Sequence, residues 1–148
     1  MLATWTPDCR CDIIAAMNNA HGTFDVKLAP QTPYDSSEGA VGRMTIDKEF
    51  QGDLIASSKG EMLAIMSSSV KGSAGYVAME KVNGALQGRK GTFALQHSGT
   101  MNRGAQSLTL TVVPDTGTGD LAGLSGSMKI VITDGKHFYD FDYTISTG

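Results

Sequence analysis

The sequence predicts an all-β protein folded as a closed eight-stranded antiparallel β-barrel with meander connectivity. Apolar and polar residues alternate in segment after segment, which is the period-two signal of half-buried strands. Gly is frequent (18 of 148 residues) and Pro is rare (4), which suits many strands joined by tight turns. The helical period is weak throughout, and only residues 10–20 suggest a single helical turn. Closure into a barrel buries every apolar face and removes exposed edges, and a two-sheet sandwich is the main alternative.

The predicted strands follow one another with short connections. They span about 23–28, 43–50, 53–66, 75–87, 90–99, 106–113, 127–133 and 137–146. Residues 53–66 read as one long strand or as two short strands with a bend at Gly60. The last strand places four large side chains on one face, which are Tyr139, Phe141, Tyr143 and Ile145.

The chain length predicts one domain, which we assign to residues 17–148. Residues 1–16 are a poor signal peptide, so we expect a flexible leader or a misassigned translation start before Met17. Cys9 and Cys11 form one C-x-C, too few cysteines for a disulfide scaffold. Adding His21 would give three metal ligands without a second cluster, so we expect no metal. These observations favour a cytoplasmic protein.

The charge pattern argues against two classes of partner. The net charge is −3 and the basic residues are scattered singly, so we expect no nucleic-acid partner. No apolar run approaches the roughly 18 residues that a membrane-spanning helix needs, so we expect no membrane partner. Residues 117–122 imitate a dinucleotide-binding fingerprint, but two glycines and a strand-like run follow where a helix is required. We therefore predict a turn there and no cofactor.

A glycine pattern, G-x-L-x-G-x-x-G, occurs at residues 84–91 and again at 119–126. In strand-rich sequence, glycines at fixed offsets mark positive-φ turns and places where backbones approach closely. The first copy predicts a hairpin with Gly88-Arg89 as its two-residue loop. In that register Glu80 lies opposite His97, and Gly84 opposite Phe93.

The same hairpin brings ionisable residues onto an interior face. Apart from Tyr76, Glu80 and His97, that face is apolar, and a slip by one residue would invert it. Glu80 and His97 are the candidates for an acid/base or ligand-orienting pair, and a satisfied structural ion pair is the alternative. Lys48 lies on the inward face of its own strand and offers compensating charge. The candidate ligand-binding residues are Tyr76, Glu80, His97, Lys48, Tyr139 and Tyr143, of which the last two are alternatively core residues.

The residues also resemble a known family. The run from Glu80 to His97, the segment 50–54, and Val113-Pro114 followed by 117–126 resemble the signature of a bacterial family of unknown function. The resemblance covers about residues 20–146 and implies an allene oxide cyclase-like β-barrel, shared in outline with plant dirigent proteins. It implies a lumen and a homo-oligomer. It does not imply cyclase activity, because fold is not function and the plant enzyme's catalytic residues have no matching positions here.

Two functions follow as expectations. The first is a barrel that binds a small apolar ligand in its lumen, with an isomerase-like or cyclase-like activity left open. The second is a non-catalytic structural or interaction module whose barrel interior is packed with side chains. A pocket in the lumen discriminates between them.

Overall fold

The structure, a computed structural model, describes residues 16–147 and is a closed antiparallel barrel in sequential strand order. Its strands are β1 (Asn18–Gln31), β2 (Gly42–Gly52), β3 (Leu54–Met66), β4 (Ala74–Leu86), β5 (Arg89–Asn102), β6 (Ala105–Val112), β7 (Leu124–Thr133) and β8 (Lys136–Ile145). A single 3-10 turn, Gly119–Leu121, lies between β6 and β7. The predicted all-β barrel and its meander order are therefore confirmed, and 53–66 contains one long strand.

The N-terminal predictions lie mostly outside the described residues. Cys9, Cys11 and all but the last residue of the proposed leader belong to that part of the chain. Of the segment 10–20, residues 18–20 form the start of β1 instead of a helical turn. Ala20 is fully buried there and lies opposite Phe141 on β8, so the alternation of β1 begins earlier than the sequence suggested.

Alternation along each strand determines which side chains lie inside the barrel. In β8 the aromatic rings of Tyr139, Phe141 and Tyr143 are each at most 3% exposed, as the period-two pattern predicts. The rings of Phe93 and Phe141 stack across the interior with centroids 6.0 Å apart. Burial of such rings is the main apolar contribution to the stability of the fold.

The hairpin of β4 and β5 corrects the predicted register. Its two-residue turn is Gln87-Gly88, not Gly88-Arg89, so Glu80 lies opposite Leu95 and Gly84 lies opposite Gly91. Gln87 (φ 46°) and Gly88 (φ 84°) both have positive φ, the requirement of the turn type that matches the twist of a hairpin. The shift is by two residues, which preserves the faces, so Glu80 and His97 both remain inside.

The two glycine motifs meet at one end of the barrel. A Cβ atom at Gly91 would lie 2.0 Å from the carbonyl oxygen of Thr118, and one at Gly119 would lie 2.8 Å from that of Lys90. β6 pairs with β5 only from Leu95 onward, so the first residues of β5 lack a strand partner on that side. The close approach lets Thr118 pair there, and the backbone N–H of Thr118 donates to the carbonyl of Thr92 over 2.8 Å. The loop 113–123 thereby inserts Leu121, which is fully buried, as a plug beneath the core. The predicted turn at 117–122 is confirmed.

The other end of the barrel is open. The connections 32–41, 67–73, 103–104 and 134–135 surround it. Inward-facing side chains there are partly solvent-exposed, as in Ile132, which is 61% exposed although it follows the inward alternation of β7. The barrel therefore has a closed, packed end and an open, hollow end.

Candidate functional site

The open end holds a cavity of about 700 Å³. Much of its wall is aliphatic or aromatic and includes Phe24, Val26, Leu28, Ile46, Ile130 and Ile132. Small residues line the opposite side, among them Ala64 and Ala74, and their short side chains leave the space. An eight-stranded barrel is just wide enough either to fill with side chains or to hold one small ligand. Side chains fill this barrel at its closed end, and the open end has room for one small ligand.

A buried carboxylate lies at the floor of the cavity. Glu80 on β4 accepts hydrogen bonds at Oε2 from Lys48 Nζ (2.9 Å) and from His97 Nε2 (2.7 Å), and at Oε1 from Ser58 Oγ (3.1 Å). The four residues come from four consecutive strands, β2 to β5, and each is at most 5% exposed. Gly60 lies opposite Glu80 on β3, and a Cβ there would lie 2.7 Å from that of Glu80. The absent side chain gives the carboxylate its room.

The cluster keeps Glu80 ionised. Burial opposes the charged form and raises the pKa, but the hydrogen bond from His97 and the charge and hydrogen bond of Lys48 outweigh it. The pKa of Glu80 is therefore lowered from the ordinary value of 4.5. A carboxylate and an ammonium group buried together tolerate loss of water only because each is paired and hydrogen-bonded.

Lys48 is held by aromatic rings as well as by Glu80. Its Nζ lies 4.8 Å from the ring centroid of Phe24 and 5.7 Å from that of Phe50. Both distances are within the range of cation–π attraction. Lys48 lines the cavity, so the structure places this predicted residue beside the pair that it was expected to compensate.

His97 and Tyr76 lie side by side in the cavity wall. Their ring centroids are 6.2 Å apart, and the ring of Tyr76 covers the backbone of Gly99, where a Cβ would lie 2.3 Å from Cε1. Burial, and next the charge of Glu80, raise the pKa of Tyr76, so its hydroxyl stays neutral at physiological pH. Tyr76, Lys48 and His97 thus face the cavity together with Glu80 directly behind them.

The other two predicted tyrosines are not in this cavity. The hydroxyl of Tyr139 accepts from the backbone N–H of Leu54 (2.9 Å) and donates to the carbonyl of Gln51 (2.8 Å). The hydroxyl of Tyr143 donates to the side-chain oxygen of Gln87, in the hairpin turn. Both residues belong to the packed core, where their hydroxyls fix loops at the closed end.

Sequence reasoning missed two polar residues of this region. His137 lines the cavity with its ring centroid 5.0 Å from that of Phe24, and Ser58 completes the cluster on Glu80. Both follow the inward alternation of their strands, two residues before Tyr139 and two after Ala56. Extending the alternation to strand ends would have found His137, and extending it to small polar residues would have found Ser58.

Other chemistry is sparse in the described part of the chain. His21, the third ligand of the metal site considered above, is exposed, and its Nδ1 lies 3.6 Å from a carboxylate oxygen of Asp53. Across residues 16–147, no three side chains of His, Cys, Asp or Glu converge in a geometry suited to a metal ion. Within the same residues, no helix has the length and apolar character needed to cross a membrane.

Fold and site together define a small closed β-barrel with a packed base and an open lumen that ends on a buried Lys–Glu–His cluster. The chain belongs to the family described as protein of unknown function (DUF3224), whose profile matches residues 20–143. It is similar to the crystal structure of a protein with unknown function from that family, from Shewanella oneidensis MR-1. The two chains are 50% identical, with a TM-score of 0.83, over 89% of this chain and 100% of the other. No protein of curated function matches the chain.

The family membership confirms the resemblance drawn from the glycine motifs and from the run Glu80 to His97. The closed eight-stranded meander is compatible with an allene oxide cyclase-like barrel, and that narrower likeness stays a prediction. The cytoplasmic location also stays a prediction.

Proposed function

We propose that the protein binds a small, largely apolar molecule in the open end of its barrel. The observation that carries this proposal is the cavity of about 700 Å³, with its apolar wall and its buried ionic cluster at the floor. Ligand sites are typically concave, mostly apolar and several hundred Å³ in volume, with a few polar groups that fix orientation. The apolar wall supplies affinity, and Lys48, Tyr76 and His97 orient the polar part of the ligand.

The cavity favours this function over the alternative of a barrel packed throughout. Side chains fill the closed end, where Phe93, Phe141 and Leu121 are at most 1% exposed, but the open end contains space that water or a ligand must occupy. Maintaining a buried ion pair beside such a space costs desolvation, which a purely structural core avoids by using apolar residues. An isomerase-like or cyclase-like step is the catalytic extension of the proposal, with His97 and Glu80 as its acid/base pair.

The test uses two substitutions at neighbouring positions of β3. Ala64→Phe places a ring in the cavity, whereas Ile65→Phe enlarges a side chain on the outer face, where it is already 48% exposed. We expect the first to weaken binding of the fluorescent apolar probe N-phenyl-1-naphthylamine about tenfold or more, because it occupies the ligand's volume. The second should leave the affinity within about twofold.

Two results would contradict lumen binding. One is an equal loss of probe affinity in both variants, and the other is the absence of binding to the wild-type protein. Thermal unfolding of both variants serves as the control for folding. Native mass spectrometry of freshly purified protein would, in addition, reveal a co-purified ligand as a discrete mass above that of the chain. A homo-oligomer stays a prediction, and the same spectra report it.

A further inference from the structure

The hydrogen bonds on Glu80 determine where the proton of His97 lies. An ionised carboxylate can only accept, so the 2.7 Å contact with Glu80 Oε2 requires the proton to be on Nε2 of His97. A neutral His97 therefore carries its lone pair on Nδ1. A carboxylate that fixes the tautomer of an imidazole in this way leaves the other nitrogen as an acceptor or base.

Nδ1 of His97 is directed to the cavity. Within residues 16–147 it has no hydrogen-bond partner, yet every fully buried side-chain nitrogen or oxygen in the described chain has one. Nδ1 must therefore retain accessible surface, and His97 lines the cavity. The hydroxyl of Tyr76, also in the cavity wall, likewise has no partner within the described residues. The floor thus presents one lone pair and one neutral hydroxyl to a ligand.

The charges that face His97 sum to zero, so a protonated His97 and a ligand anion can form one additional ion pair there. The positive charge of Lys48 from β2 and the negative charge of Glu80 from β4 cancel each other. Ser58 of β3 and Tyr76 of β4 are neutral, β6 contributes Gln106, Ser107 and Leu108 to the cavity, and β8 contributes His137 beside Phe24. A proton placed on Nδ1 adds one positive charge, which a ligand anion in contact with it neutralises.

We propose that the ligand of this lumen is an apolar molecule bearing one acidic hydroxyl group, a carboxylic acid or a phenol, whose proton His97 Nδ1 accepts. This inference rests on the proposed binding function and specifies its ligand. When the ligand binds with its proton, its O–H bond breaks, the electron pair stays on the ligand oxygen, and an N–H bond forms at Nδ1. When the ligand binds as the anion, the proton of this N–H bond comes from the buffered solvent. Nε2–H stays on Glu80, which remains ionised, and the hydroxyl of Tyr76 donates to the ligand oxygen.

The experiment compares ligands that differ only by methylation of the acidic oxygen. The probes are decanoic acid against methyl decanoate, and 4-hexylphenol against its methyl ether. Within at least one pair we expect the acid to bind about tenfold or more tightly, the effect of one charge-assisted hydrogen bond. At about pH 9 decanoate enters as the anion, so protonation of Nδ1 on binding should take up about one proton from the buffer. Calorimetric titration in two buffers of different ionisation heat measures that uptake.

Two further measurements separate a specific role of His97 from general damage to the fold. In His97→Gln the amide can still donate to Glu80 but has no basic lone pair. Proton uptake and the preference for the acids should disappear in this variant while its thermal unfolding stays cooperative, whereas the outer-face variant Ile65→Phe should keep both. In the wild-type protein, the ¹⁵N resonance of His97 Nδ1 should move from an unprotonated to a protonated position on addition of decanoate.

The outcomes distinguish the two proposals. If each methylated compound binds as tightly as its parent acid without proton uptake, the acidic-ligand inference is wrong and lumen binding stands. The same conclusion follows if none of the four compounds binds while N-phenyl-1-naphthylamine does. If that probe also fails to bind the wild-type protein, the proposed function itself is wrong.

Discussion

The closed and open ends of the barrel consist of the same eight strands but differ in what fills them. At the closed end the interior contains large side chains, with Phe93, Phe141 and Leu121 in one buried cluster and the loop 113–123 as a plug. At the open end small residues such as Ala64 and Ala74 face the lumen and leave a cavity. The Lys48–Glu80–His97 cluster lies between these halves. The contrast indicates that one half supplies most of the apolar stability, so the other is free to keep space for a ligand.

The largest expected effect tests this division of stability. Phe141→Ala removes a fully buried ring from the closed end and should lower the free energy of unfolding by about 3–5 kcal/mol, since a cavity remains. Ile132→Ala, at the open end, removes a side chain that is 61% exposed and should cost less than about 1 kcal/mol. Chemical denaturation of both variants measures the difference. Equal losses would show that both ends contribute alike to stability.

Substitution of one glycine near each end compares how tightly the backbone is packed at the two ends. A Cβ at Gly84, near the closed end, would lie 2.2 Å from the carbonyl oxygen of Ile55 and 2.5 Å from Cα of Ala56. Because backbone atoms cannot move aside, Gly84→Ala should destabilise the protein by about 2 kcal/mol. At Gly75, near the open end of β4, the atom nearest to an added Cβ is 3.8 Å away, so Gly75→Ala should change the stability by less than about 0.5 kcal/mol. Comparable melting temperatures for the two variants would contradict this difference.

The smallest effect concerns the cluster between the ends. The pKa of Glu80 is lower in the folded protein than its ordinary value of 4.5, so its ionisation stabilises the fold above that pH. This contribution is lost as the pH falls through the folded-state pKa. Urea denaturation between about pH 7 and about pH 3 should therefore show a weaker acid dependence in Glu80→Gln than in the wild-type protein. Glu61→Gln is the control, because Glu61 is paired with Arg43 at the surface, where solvent screens the pair.

The alternation of apolar and polar residues along each strand was enough to predict the barrel and the inward faces of its strands. Tyr139, Glu80 and His97 lie inside because residue parity alone decides the face of a strand. The predicted faces stayed correct despite the error in the hairpin register, because the true turn at Gln87-Gly88 shifts the pairing by two residues and each side chain keeps its face. The choice between adjacent two-residue turns depends on positive φ at Gln87, a residue type without strong preference for that conformation. Sequence pattern offers little to predict that choice.

The sequence pattern could not predict which inward-facing residues lie at the packed end of the barrel and which at the open end. Tyr139 and Tyr143 have the same parity as His137, yet only His137 lines the cavity. Position along the barrel axis depends on strand stagger and on where the plug of loop 113–123 lies, both of which arise from long-range contacts. The Glu80–His97 contact could be predicted because both side chains are long enough to meet across an offset of two residues.

The pairing of β1 with β8 has a consequence for the order of folding. Asn18 is the register partner of Tyr143, so the last seam joins strands that are separated by nearly the whole described chain. Without β8, the pairing of the other seven strands leaves an open sheet with two free edges, one on β1 and one on β7. Such a non-local closing contact favours slow folding. A chain in which β1 and β8 have not yet paired therefore exposes two strand edges to other chains.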